Sequence, residues 1–230
     1  MPKIINIRGV IVPDDDKWIY DWLDISATCS ADVRLALQDA NGEDIEVHIN
    51  SGGGDVFSGS EIYTLLRNYS GKIMIKIQSL AASAAAVIAM AGESEMSPIA
   101  QLMIHNVSGG ARGDYHDMAH AAEVLENANR ALAAAFVAKT GRSEAEILAQ
   151  MDRETWLTAE QAVQEGFVDR IMFAENPKST TGGHFQMAAS YGSGLLPEST
   201  LSKVRQHFSN NSAKAKAMAQ YDYMILQEVK

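Results

Sequence analysis

The stretch from Ile45 to Gly54, I-E-V-H-I-N-S-G-G-G, constrains the fold more than any other. Ile45, Val47 and Ile49 alternate with polar residues, the period of a strand with one buried face. The strand runs into Gly52-Gly53-Gly54, residues that adopt backbone conformations closed to side chains, and these read as a turn. Ser58 to Asn68 follows as a helix with Ile62, Leu65 and Leu66 on one face, and Lys72 to Ile77 is the next strand. A strand, a glycine turn, a helix and a strand in close succession predict an α/β fold with a mainly parallel sheet.

The same alternation extends in both directions. Lys3 to Ile11 carries β-branched residues at strand spacing, and Pro13 to Asp16 is a turn. Trp18 to Ile25 fits a short helix or an irregular arm. Ser30 to Gln38 reads as a helix with Ser30 as N-cap, ended by Asn41-Gly42. Ala81 to Ala91 reads as a buried helix whose alanines permit close approach, and Ala100 to Ile104 as a strand. Asp117 to Thr140 places Met118, Ala122, Leu125, Ala128, Leu132 and Phe136 at three- and four-residue steps, the pattern of a long helix capped by Gly141. Ser143 and Glu146 form a capping box for a helix to Met151; Thr158 to Gly166 is a further helix before a strand from Val168 to Phe173.

Past Ala174 the character changes. Lys178 to Gly194 is rich in Ser, Thr and Gly, and Leu201 to Gln227 has weak helical periodicity. Two parts are therefore expected: a folded domain over 1–174 and a polar C-terminal extension over 175–230, partly flexible. Within it, Ser179-Thr180-Thr181-Gly182-Gly183 has the composition of a flexible cut site.

The overall balance narrows the partners. Of the 230 residues 47% are hydrophobic, enough for a full core, and the net charge of −10 disfavours nucleic acid and anionic membrane. Cys29 is the single cysteine, which excludes an internal disulfide and a cysteine-based zinc cluster. The N-terminus is too interrupted for a signal peptide, and the apolar run from Leu80 to Gly92 is too short to cross a bilayer. The expectation is a soluble, cytoplasmic protein.

Three pieces carry chemistry. The glycines present backbone N–H groups to an anion, a phosphate or an oxyanion, or else form a plain tight turn; no phosphate-binding lysine motif accompanies them. Ser83, in Q-S-L-A-A-S-A-A-A, stands at the start of an apolar helix, as a nucleophile needing a base or as an N-cap. His105 ends L-M-I-H at a strand's carboxyl end, where sites assemble in parallel sheets, or is a structural histidine. His116 and His120 are four apart, but Asp117 stands where a zinc-protease helix needs glutamate, so metal is not expected. Asp152 and Glu154 are the carboxylates available to orient a histidine.

Together these segments resemble the Clp protease proteolytic subunit family over roughly Ile4 to Phe173. I-N-S-G-G-G-D-V-F-S-G (49–59) is similar to that family's I-N-S-P-G-G-x-x-x-x-G, with Gly52 at the usual proline. A-A-S-A-A-A (81–86) resembles A-A-S-M-G-A, with Ala84 and Ala85 replacing methionine and glycine. L-M-I-H-N (102–106) resembles V-M-I-H-Q. R-E-T-W-L-T-A-E-Q-A-V-Q-E-G-F-V-D (153–169) resembles R-D-x-F-L-S-A-x-E-A-x-x-x-G-x-V-D.

The resemblance implies a crotonase-like α/β fold of repeated β-β-α units with a long protruding handle helix. It implies Ser83 as nucleophile, His105 as base, Glu154 at the acid position with Asp152 as its rival, and an oxyanion hole from Gly53, Gly54 and Ala84. It implies no cofactor and no metal. It also implies a homo-oligomeric ring, a heptamer or stacked double heptamer, with polypeptide substrate and an ATP-dependent unfoldase as partners; the loop Ser108 to Gly113 is then the start of an interface. The Gly52 variant, M-D-R-E-T-W-L-T-A-E and the extension look most like the head maturation proteases of tailed phages and prophages, whose substrates are capsid or scaffold proteins, within the host cytoplasm or procapsid. Other readings are a housekeeping Clp-type subunit working with an ATP-dependent unfoldase, an acyl-CoA enzyme of the same fold, which needs no serine, and an inactive shell or scaffold subunit derived from a protease.

Overall fold

The structure, a computed structural model, describes residues 2–173 and 195–210. Among the described residues eight strands form one sheet: β1 (Lys3–Ile11), β2 (Ala27–Thr28), β3 (Ile45–Gly54), β4 (Ile73–Ala82), β5 (Glu93–Met96), β6 (Gln101–Ile104), β7 (Thr155–Thr158) and β8 (Arg170–Ile171). The main path runs β2-β1-β3-β4-β5-β8, every pair parallel. Strand β4 changes partner along its length. Met74 to Ile77 pair with β5, whereas Leu80 to Ala82 pair with β6, and β7 adds to β6 as the antiparallel strand.

The alternation read in β1, β3 and β4 sets the two faces. Ile5, Ile7, Ile45, Val47, Ile49, Ile75 and Ile77 are buried against the helices. Ile4, Asn6, Glu46, His48 and Lys76 stand on the other side. The helices are α1 (Lys17–Trp22), α2 (Ser30–Ala40), α3 (Val56–Arg67), α4 (Ala84–Ala89), α5 (Tyr115–Thr140), α6 (Glu144–Asp152) and α7 (Ala159–Gln164). All six residues of α4 are buried, and a side chain on Gly59 of α3 would approach Ala84 Cβ to 2.9 Å, so small residues set the α3–α4 contact. Helix α5 is roughly 39 Å long at 1.5 Å per residue; Ala133, Ala135 and Phe136 near its end are buried, while residues 115–120 are exposed. Gly141 at φ 72° caps it, and Ser143 with Glu146 forms the expected box on α6.

Several local expectations need correction. Gly52 to Gly54 stay in β3 and make no turn: Val10 pairs with Gly53 and Ile11 with Gly54, after a register shift between Arg8 and Val10. The glycines absorb a bulge, and the chain leaves the sheet at Asp55, whose carboxylate caps α3 by accepting from Ser58 N–H. The helix expected from Ala81 begins at Ala84, because Ala81 and Ala82 are held in the ladder by Leu102 and Met103. Cys29, one residue before Ser30, is the N-cap of α2; Ser30 donates its hydroxyl to Asp14 at 2.9 Å. Strands β5 and β7 were not expected, and the last strand covers Arg170–Ile171 only.

Contacts divide the chain into two compact units, Met1–Leu195 and Leu196–Lys230. In the second, α8 (Glu198–Asn210) is described; Ser202 and Arg205 both donate to Glu198 on one side of it. The Ser/Thr/Gly-rich stretch 178–194 and the periodicity beyond 210 lie outside the described residues. Among the described residues no helix is long and apolar enough to cross a membrane, and no three His, Cys, Asp or Glu side chains cluster as metal ligands.

Candidate active site

Ser83 occupies the one residue between β4 and α4. Its backbone is at φ 57°, ψ −125°, a region that costs a residue with a side chain about 1–3 kcal/mol. The surroundings hold it there. Ser83 N–H donates to Met103 O at 2.9 Å, and its carbonyl accepts from Ala86 and Val87 at 2.9 and 3.3 Å. The sharp turn directs the hydroxyl out of an otherwise buried segment, at the carboxyl end of the central strand.

His105 arrives from the next strand over. The pairing of Ala82 with Met103 sets the height of β6 against β4, and His105 follows directly after Ile104. Its Nε2 lies 2.8 Å from Ser83 Oγ. With the ring proton on Nδ1, Nε2 accepts from the serine hydroxyl, which is the relation between a nucleophile and its base. Burial holds the imidazole pKa below its ordinary 6.5, and the negative charge of Glu154 opposes that shift. The histidine is therefore neutral, and able to accept a proton, to lower pH than a free imidazole.

The two carboxylates are placed differently. Ile104 pairs with Thr155 across the antiparallel β6–β7 ladder, so His105 and Glu154 are the next positions along. Glu154 sits at φ 51° and accepts from Trp156 Nε1 at 3.1 Å. Asp152, at the end of α6, accepts from Asn106 Nδ2 at 2.7 Å. Ser83 and His105 are thus hydrogen-bonded, Glu154 acts on His105 by its charge, and Asp152 is engaged by the residue beside the histidine.

Gly53 and Gly54 lie against this pair. Gly53, at φ 91°, approaches so closely that a Cβ would lie 2.7 Å from Ser83 Cβ and 3.0 Å from Ala84 N; its own N–H donates to Ser51 Oγ at 3.1 Å. Gly54, at φ 149°, would clash with Ile11 O at 2.1 Å, and it lines the same cavity as Ser83 and His105. That cavity has a volume of about 100 Å³, with apolar walls from Val56, Val87, Ile104, Val107, Leu132 and Phe136.

Asn106, Asn129 and Trp156 were missed from sequence. Asn129 Oδ1 accepts from Val107 N–H at 2.7 Å and ties the segment after the histidine to α5. The available signals were adjacency to His105 and a tryptophan two residues after a carboxylate. His48 belongs elsewhere, bonded to Glu46 and Gln78 on the polar face of the sheet, and His116 and His120 are exposed near the start of α5.

The Clp protease family matches residues 24–175, from the end of the first helix to just past the last strand of the sheet. The chain belongs to the Clp protease family. It is 31% identical over 134 residues to an ATP-dependent Clp protease proteolytic subunit of Bacteroides fragilis, which covers 57% of this chain and 65% of that protein. It is 31% identical to proteolytic subunit 2 of Nocardia farcinica (70% of this chain, 80% of that protein). It is 35% identical to proteolytic subunit 3 of Rhodococcus jostii (66% and 78%). The chain thus spans just under two thirds of the length of the Bacteroides relative. Ser83, His105, Asp152 and Glu154 all fall inside the Clp-matched segment.

Proposed function

We propose that this chain is a serine endopeptidase in which Ser83 is the nucleophile and His105 its base, with Glu154 as the acid. The observation that carries the reading is the 2.8 Å contact between Ser83 Oγ and His105 Nε2, with the serine in a strained turn at the end of β4. Ser83 Oγ attacks the peptide carbonyl and its proton passes to His105 Nε2. The carbonyl oxygen gains the charge and receives N–H bonds from Gly54 and Ala84. Gly53 shapes the approach, since its amide already donates to Ser51. His105 then gives the proton to the leaving amine as the C–N bond breaks, and water repeats the sequence on the acyl-enzyme. Glu154 is preferred over Asp152 because its charge is the one that acts on His105, whereas Asp152 is held by Asn106. The apolar cavity beside Ser83 fits one medium-sized aliphatic side chain on the acyl side of the cut bond.

The peptidase domain is assigned to residues 1–174 and the extension to 175–230. In this reading the chain assembles as a ring, through the exposed half of α5 with Tyr115, Met118 and Val124 on its surface, and works in the cytoplasm. A role in phage or prophage head maturation, on capsid or scaffold protein, is supported by the Gly52 variant of the glycine motif and by the extension. An ATP-dependent unfoldase is the partner that the relatives' names point to.

Hydrolysis of fluorogenic peptides bearing leucine or alanine before the reporter tests the chemistry. Turnover by the parent, and its loss in Ser83→Ala and His105→Ala, is expected; turnover unchanged in Ser83→Ala overturns the assignment. Intact mass after co-expression with the phage head proteins tests the biological role: a shortened parent chain beside a full-length Ser83→Ala chain is expected, and uncut chains with uncut head proteins refute it.

A further inference from the structure

We propose that Trp156 is the positioning residue that keeps the Glu154 carboxylate on the His105 side of the β6–β7 edge, an inference that rests on the peptidase reading of the site. Glutamate at this position brings a difficulty. Glu154 is exposed and its side chain has three torsions, so an untethered carboxylate spreads over many rotamers. Two features restrain it. The backbone at φ 51° folds Glu154 back at the start of β7, where its N–H donates to Met151 O at 3.0 Å. The indole N–H of Trp156, a donor that cannot accept, then binds Glu154 Oε1 at 3.1 Å.

The spacing explains why a tryptophan can do this. Trp156 stands two residues after Glu154, which precedes β7, and the indole bond is what brings the two side chains together. Trp156 is fixed in β7 opposite Met103, two residues before His105, so the tether is anchored to the same strand that carries the histidine. A carboxylate has two oxygens, and the indole engages one, which leaves the other for an imidazole N–H. The charged group acting on His105 is Glu154, while Asp152 is engaged by Asn106.

Trp156→Phe keeps the ring and removes the donor. Phosphonylation of Ser83 by a fluorophosphonate is expected to slow by about threefold to tenfold, with an unchanged thermal midpoint. The acid limb of its pH profile should move to lower pH, because a less constrained Glu154 supports the imidazolium less. In a Glu154→Gln background the same substitution should add nothing. Direct titration of His105 by NMR, with histidine labelled in the ring, should show the same downward shift. An unmoved His105 titration in Trp156→Phe, or an equal rate loss in the Glu154→Gln background, overturns the inference. If the parent does not label at all, the peptidase reading fails, and the NMR titration still decides whether Trp156 controls Glu154.

Discussion

Gly53→Ala joins the fold to the site in one substitution. The added Cβ would lie 2.7 Å from Ala82 O and from Ser83 Cβ, and 3.0 Å from Ala84 N, at a residue whose φ is 91°. The backbone conformation costs a non-glycine residue about 1–3 kcal/mol. Relieving contacts with two backbone atoms costs a further ~1–3 kcal/mol, as overpacking does. The sum, about 2–6 kcal/mol, corresponds to a fall in thermal midpoint of order 10 °C for a domain of this size. The groups that must yield are the nucleophile and the amide after it. Reactivity of the folded variant should therefore fall as well, by about 10²-fold or more, the loss typical of one misplaced oxyanion donor. The assay is thermal unfolding beside the rate of fluorophosphonate labelling at a temperature where the variant is folded. Gly110→Ala is the control, since nothing lies within 4 Å of its added Cβ; it should stay within about 0.5 kcal/mol of the parent. A Gly53→Ala protein within about 1 kcal/mol of the parent and labelling at the parental rate would refute the close-approach argument.

Glu154→Gln should lower peptide turnover by about 10²–10⁴-fold, and Asp152→Asn by only a few-fold; the reverse order in steady-state kinetics would make Asp152 the acid. Because burial lowers the His105 pKa below 6.5, kcat/KM should persist as pH falls through 6.5 and drop only at lower pH; half-loss at or above 6.5 would contradict that placement. Asp169 accepts from Ser94 N–H at 2.7 Å and pairs with Lys139, which also donates to Gly92 O. Although burial opposes it, these bonds set the Asp169 pKa below 3.8, so their stabilisation is present above 3.8 and lost as pH falls through the folded value. Asp169→Asn should cost roughly 1–2 kcal/mol at pH 7, discounted for partial exposure, and less in acid, by urea titration at both pH values. The Cys29 thiol, whose pKa burial pushes up to about 11, should react with a thiol reagent only after unfolding.

Legibility in the sequence followed local burial. Strands β1 and β3 were readable because Ile5, Ile7, Ile45, Val47 and Ile49 alternate against polar residues, and α6 because Ser143 and Glu146 close a capping box within four residues. Strands β5 and β7 are four residues each, E-S-E-M and T-W-L-T, too short for a period and defined by their neighbours. The glycines misled for a related reason: local rules favour a turn, whereas pairing with Val10 and Ile11 keeps them in the sheet. Ser83, His105 and Glu154 stood out as candidates from their local settings, and motif resemblance supplied their roles. Their proximity comes from β4 exchanging β5 for β6 and from β7 adding antiparallel, events that no local pattern encodes. The Trp156–Glu154 bond and the Asn106–Asp152 bond depend on side-chain placement across that sheet edge.

Intact-mass spectrometry after fluorophosphonate treatment tests the central claim, an activated Ser83, most directly. The account predicts a single adduct on the folded parent, mapped to Ser83, and none on folded Ser83→Ala. No adduct on a folded parent, or an equal adduct on both proteins, would contradict it.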